Sequence, residues 1–197
     1  MPKIVDHDKR KKDIAEATWR VISEQGMEGA TVRNIAKEAG LSLGALQHYF
    51  SSQAGLLSYA MNLVIERVTL RIHAITARNS PPKEMVVEIL LQMIPTDQET
   101  MLEIQVWYEF VMYARNKPEL CSVQDDGVLS GLMVLFEKLD ENHLIKKDLD
   151  LEIEIEKLYA IVDGLALHAA LEPGRLDKER ILSILKNHID YLFVDSE

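Results

Sequence analysis

A single cysteine, Cys121, is all the thiol this 197-residue chain holds. That excludes an internal disulfide and any C-x-x-C metal or redox centre, and it points to a reducing, cytoplasmic compartment. No uninterrupted apolar run approaches the roughly 18 residues that a membrane span needs, so no membrane partner is expected. The first residues, MPKIVDHDKRKKDIAEA, are basic with no apolar stretch behind them, which is not the layout of a secretory signal. Catalytic signatures are missing as well. No G-x-S-x-G, P-loop, dinucleotide fingerprint or H-E-x-x-H occurs, and the six histidines are scattered. His143 and Cys121 lie far apart with no signature around either. The expectation is a protein that is not an enzyme and that needs no cofactor and no metal.

What is present describes a globular chain, 47% hydrophobic and 27% charged, long enough for one domain or a small domain joined to a larger one. Its formal net charge of -10 is unevenly spread. Residues 1–50 hold 8 Lys/Arg against 7 Asp/Glu, whereas residues 51–197 hold 14 against 25. A near-neutral first segment can approach phosphate if its cations share a face, while the acidic remainder is expected to turn away.

Helical periodicity runs through the whole chain. A first helix is predicted from about Lys9 to Gln25, stopped by Gly26. Thr31 caps a second, Val32 to Ala39, which Gly40 ends, and Ser42 caps a third, Leu43 to Tyr49 or Phe50. Ser52 opens a long fourth, broken at NSPPK. KEMVVEILLQMI, apolar nearly all round, belongs in the middle of a bundle. Further helices are predicted at Asp97–Asn116, Glu119–Asn142, Asp150–Leu171 and Leu176–Phe193. DLDLEIEIE alternates like a strand, but Leu151, Ile155, Leu158, Val162, Leu165 and Ala169 step as a helix seam and no second strand exists to pair with it. The expected architecture is all-α, with about nine helices. A three-helix segment (residues 1–52) precedes a larger helical bundle (residues 53–197).

The second and third helices meet in a specific way. Ala36 falls where two crossing helices come closest, and Gly40 falls at the turn, where a left-handed backbone is easy only for glycine. Ile35, Leu41 and Leu46 supply the buried contacts. This is the pattern of a helix-turn-helix, whose second helix lies in a major groove. Ser42, Leu43, Gly44, Gln47, His48 and Tyr49 then face outward. Gln47 and His48 suit base edges, Tyr49 suits a phosphate oxygen, and Gly44 allows close approach of the backbone. Arg33 is the nearest strong cation. Lys9, Arg10, Lys11 and Lys12 form either a basic arm beside the duplex or a solvated helix start, and the N–H groups after Ser51-Ser52 offer a further phosphate position.

TVRNIAKEAGLSLGALQHYFSSQAGLL, with RKKDIAEATWRVISEQGMEGA before it, resembles the DNA-binding segment of the TetR family of bacterial transcriptional regulators. The Gln47-His48-Tyr49-Phe50 variant, with DGLALHAAL and YEFVMYARNKPEL, is similar to the BetI-like branch. The resemblance implies a homodimer that binds double-stranded operator DNA and a helical body that binds a small effector. It places Arg33, Ser42, Gly44, Gln47, His48 and Tyr49 at DNA-facing positions and Phe50 at a buried anchor. Gln53-Ala54 stands where the family usually has a phosphate-binding lysine and a glutamate, and Leu43 stands where a polar residue is common. A shallower salt dependence is expected, about 0.9 less in the log–log slope for one lost phosphate contact.

For the effector, Met61, Ile65, Glu103, Trp107, Phe110, Val111, Met133 and Phe136 are the candidate lining, although such stripes also serve as plain core. Glu103 beside Trp107 suits a cation; a carboxylate near a helix start is the simpler reading. Leu158, Val162, Leu165, Leu182, Leu185 and Ile189 are expected at a two-fold dimer interface, because a monomer would struggle to bury them. The function expected is a regulator, more readily a repressor than an activator, that grips a palindromic operator and is released by a largely apolar effector. The alternative is a helical adaptor of the same fold without sequence-specific DNA binding.

Overall fold

The computed structural model describes residues 6–117, 120 and 127–194. Among them are nine α-helices: α1 His7–Gly29, α2 Val32–Glu38, α3 Leu43–Tyr49, α4 Gln53–Thr76, α5 Pro82–Leu90, α6 Gln98–Ala114, α7 Gly127–Glu141, α8 Leu151–Leu171 and α9 Lys178–Leu192. The only extended pairing among the described residues is an isolated bridge between Ile145 and Phe193. The all-α expectation holds, and DLDLEIEIE is the first turns of α8. The predicted start of the seventh helix at Glu119, like Cys121, lies outside the described residues.

Packing divides the chain into two compact units, Met1–Thr69 with Leu102–Asp125, and Leu70–Met101 with Asp126–Glu197. The divisions at Thr69–Leu70 and Met101–Leu102 fall inside α4 and α6.

In the first unit, α1 buries one stripe: Ile14, Ala15, Ala17, Thr18, Trp19, Val21 and Ile22. The helix kinks at Gly26, whose φ of 69° is available cheaply only to glycine, and one further turn ends at Gly29. Trp19 Nε1 donates to the Ala60 carbonyl at 3.0 Å, satisfying a buried indole and tying α1 to α4. Arg67 of α4 covers the Trp19 ring at 4.7 Å and pairs with Glu16 of α1. Val106, Phe110 and Ala114 of α6 complete this core.

In the second unit α8 and α9 supply the longest buried seam. Leu158, Val162, Leu165, Leu185 and Ile189 are buried within the single chain, and Leu182 is half-buried. The sequence placed these six at a dimer interface for want of another way to bury them. Within the single chain they face the interior of this unit, where α5 packs on α9 and α7 on α8. On α8, Ile153, Leu167 and Leu171 are left in solvent on the face opposite the seam, and on α9 Ile184 and Tyr191 are exposed about a quarter-turn from it. One polar inclusion interrupts the seam. Glu154, buried, accepts from Lys157 Nζ at 2.7 Å through Oε1. Its Oε2, like Nε2 of the half-buried His188, has no hydrogen-bond partner among the described residues. Burial pushes the His188 pKa down, against an upward pull from Glu154.

Candidate nucleic-acid interface

α2 and α3 are each seven residues long, too short to be stable alone, so local bonds and a few buried side chains must hold them. Thr31 Oγ1 accepts from the Asn34 N–H at 3.2 Å, and Ser42 Oγ accepts from the Ala45 N–H at 3.1 Å, so both predicted caps are formed. Between them Gly40 takes φ 64°, and the Leu41 N–H returns to the Ala36 carbonyl at 2.8 Å. Ile35, Ala36 and Leu46 are buried where the helices cross, with Leu41 packed against them. Two further ties carry no obvious sequence signal. Asn34 Nδ2 donates to the Gly29 carbonyl at 3.0 Å, and Gln53 Nε2 donates to the Ala30 carbonyl at 2.8 Å. Gln53, where the sequence suggested a missing phosphate contact, braces the start of α4 against the turn before α2.

With Leu46 inward, α3 turns Ser42, Leu43, Gly44, Gln47 and His48 outward, and all five are exposed. Leu43 leaves 42% of its surface in solvent, a cost that contact with a thymine methyl would offset. A Cβ on Gly44 would meet nothing within 4 Å, so its glycine answers no internal crowding. Tyr49 is half-buried and packs against the core, and Phe50 is buried. Arg33 is exposed in the first turn of α2 and has no ion pair among the described residues.

The basic run at the start of α1 is largely committed elsewhere. Arg10 pairs with Asp13 at 3.8 Å and Lys12 with Glu66 at 3.6 Å. Lys11 lies over the Phe50 and Tyr59 rings at 5.9 and 5.8 Å. Lys9 alone of the four has none of these contacts among the described residues. A contact the sequence did not suggest joins α1 to α3: the His7 ring sits 4.8 Å from the Tyr49 ring and 6.4 Å from that of His48.

Residues 14–60 match the model of the bacterial regulatory proteins of the tetR family, and residues 82–194 match that of the BetI-type transcriptional repressor C-terminal region. The chain belongs to the TetR family. HTH-type transcriptional regulator PksA of Bacillus subtilis (strain 168) is 55% identical over 195 residues, covering 99% of this chain and 95% of its own. HTH-type transcriptional regulator BetI of Escherichia coli (strain K12) is 29% identical over 196 residues, covering 96% of each. Among solved structures, a transcriptional regulator from Rhodococcus sp. Rha1 superposes with a TM-score of 0.79 at 28% identity, over 92% of this chain and 95% of that one. This TetR-family protein is therefore a helix-turn-helix transcriptional regulator, a class of DNA-binding proteins and not of enzymes. No helix among its described residues is long and apolar enough to cross a membrane.

The effector candidates of this TetR-family chain divide between the two units. Met61, Glu103 and Phe110 are buried in the first unit, Trp107 and Val111 are half-buried, and Ile65 is 40% exposed. Phe136 is buried in the second unit, whereas Met133 leaves 56% of its surface in solvent. A cavity of about 300 Å³ within the second unit is lined instead by Arg71, Ala74, Ile75, Arg78, Glu88, Leu91 and Gln92.

Proposed function

We propose that the protein is a repressor that binds a palindromic operator as a homodimer and is released by a small, largely apolar effector. The observation that carries this reading is α3: a rigidly capped helix anchored by one fully buried leucine, presenting Gln47 and His48 outward beside an exposed glycine. Arg33, Ser42, Leu43, Gly44, Gln47, His48 and Tyr49 form the contact surface, with Gln47 and His48 on base edges and Arg33 on phosphate. The description of the matched C-terminal model as a repressor region supports repression over activation.

Dimerisation rests on the outward stripe of α8. Ile153, Ala160, Leu167 and Leu171 are separated by seven, seven and four residues, which brings them onto one helix face, and all four are exposed. Ile184 and Tyr191 extend the apolar surface on α9. Two copies packed through this face about a two-fold axis match the symmetry of a palindrome. The effector is taken up around Met61, Trp107 and Phe110, apolar and aromatic side chains of the first unit's core.

Fluorescence anisotropy on the DNA upstream of the protein's own gene, against scrambled DNA over a salt series, tests the reading. Saturable binding to the native DNA alone is expected. Equal, weak binding to both would sink the operator reading and favour an adaptor of the same fold.

A further inference from the structure

The head faces a shortage of positive charge. Three of the four cations at the start of α1 are held by Asp13, Glu66 or the aromatic pair Phe50–Tyr59, and the lysine expected after Phe50 is a glutamine bonded to the Ala30 carbonyl. What the fold does gather on this surface is imidazole. His7 opens α1 and is exposed; His48 stands in the last turn of α3 and is exposed; their ring centroids are 6.4 Å apart at 81°. Tyr49 lies against both, 4.8 Å from His7 and 5.6 Å from His48. Residues 41 positions apart are thus assembled into one cluster around the Tyr49 ring.

From this cluster we infer that His7 is an additional DNA-contacting residue, and that His7 and His48 act as a pair that takes up protons as the operator binds. The inference rests on the operator reading above. Histidine is the side chain whose charge changes between about pH 5 and 8. Protonation places up to two cations beside Tyr49, a residue of the contact surface proposed above, and the polyanion itself draws those protons on. The other charged groups at this corner do not supply that response. Asp6 is occupied in capping α1, accepting from the Asp8 and Lys9 N–H groups at 3.1 Å. Asp8 acts on Tyr59 of α4, whose phenol is raised first by burial and then by that charge and that of Glu66. Lys11 stays over the Phe50 and Tyr59 rings.

The test measures anisotropy of upstream and scrambled DNA at about pH 6 and pH 8 for the wild type, His7→Gln, His48→Gln, the double variant and His7→Lys. Circular dichroism confirms that each variant is folded. Expected is wild-type binding at least about three-fold tighter at the lower pH, with a log–log salt slope steeper by up to ~0.9 per histidine. His7→Gln loses roughly half of this pH response and the double variant nearly all of it, whereas His7→Lys at pH 8 recovers about half of the gain that the wild type shows at pH 6. Operator-specific binding whose pH response is the same in His7→Gln as in the wild type overturns this inference alone. Failure of the wild type to distinguish the two DNAs at either pH overturns the operator reading, and this inference with it.

Discussion

The seven residues of α3 and the twenty-one of α8 both carry a face into solvent, and the two faces differ in kind. On α3 the outer face carries three polar side chains, Ser42, Gln47 and His48, with Leu43 and Gly44 between them, hung on Leu46, which has no exposed surface. On α8 the outer side carries an apolar stripe between charged side chains, with Leu171 71% exposed, on a helix whose inner seam is already complete. A surface of uncommitted hydrogen-bonding groups suits base edges, which demand directional partners. A surface of uncommitted aliphatic groups suits another copy of itself, because burial stabilises without direction. The length difference follows. A face that must bury area needs several turns, whereas a face that enters a groove needs two.

Breaking the support of α3 should have the largest effect. Leu46→Ala removes the side chain that joins α3 to α2 and leaves a cavity, costing about 3 kcal/mol in urea unfolding. Its operator affinity should collapse with it. A loss of stability below about 1 kcal/mol would mean that α3 is held chiefly by its cap and by Phe50. Next in size is Leu167→Glu on α8. The side chain is already in solvent, so the single chain should unfold as before, while sedimentation shows monomers. Operator affinity should then fall on the order of 10²-fold as the second half-site is lost. A variant that remains dimeric would move the interface off this face.

Gln47→Ala sharpens the contrast further. It should leave the melting temperature unchanged and cost about 1–3 kcal/mol of operator binding, with relaxed preference at one base position. If affinity is unchanged on every sequence, Gln47 faces solvent in the complex, and His48 and Arg33 carry the reading.

The helix-turn-helix was legible because its signals are local. Thr31, Gly40 and Ser42 act on backbone within three residues of themselves, and the caps and the positive φ are where the residue types require them. The bundle was legible as helices for the same reason, since Leu151 through Ala169 show their period in the sequence. Which face of α8 looks inward was not legible. Leu158 and Leu167 are the same residue type, and only the packing of α5, α7 and α9 decides that the first is buried and the second exposed. Gln53 and His7 were missed because their partners, the Ala30 carbonyl and the Tyr49 ring, are distant in sequence. Substituting a lysine pattern for Gln53 predicts a missing contact; it does not reveal that an amide has a bond of its own to make.

The smallest effect concerns a second kind of histidine. His7 and His48 are exposed, and acid should strengthen what they do. His188 of α9 is half-buried, stacked 6.1 Å from Tyr191, with Nε2 lacking a hydrogen-bond partner among the described residues. Burial lowers its folded-state pKa, and Lys157 adds to the lowering, while Glu154 opposes it. In the unfolded chain the same ring titrates near the ordinary value of about 6.5. As pH falls through that value, the unfolded state takes up its proton first, so stability should decline from there down through the lower folded pKa and be fully present above about pH 7. His188→Leu should remove this part of the slope in a melting-temperature series between about pH 7 and pH 5. A slope unchanged in His188→Leu would place the acid response elsewhere in the fold. A slope of the opposite sign in the wild type would mean that Glu154 outweighs burial, and that the unpartnered Oε2 and Nε2 atoms close on each other once the ring is charged.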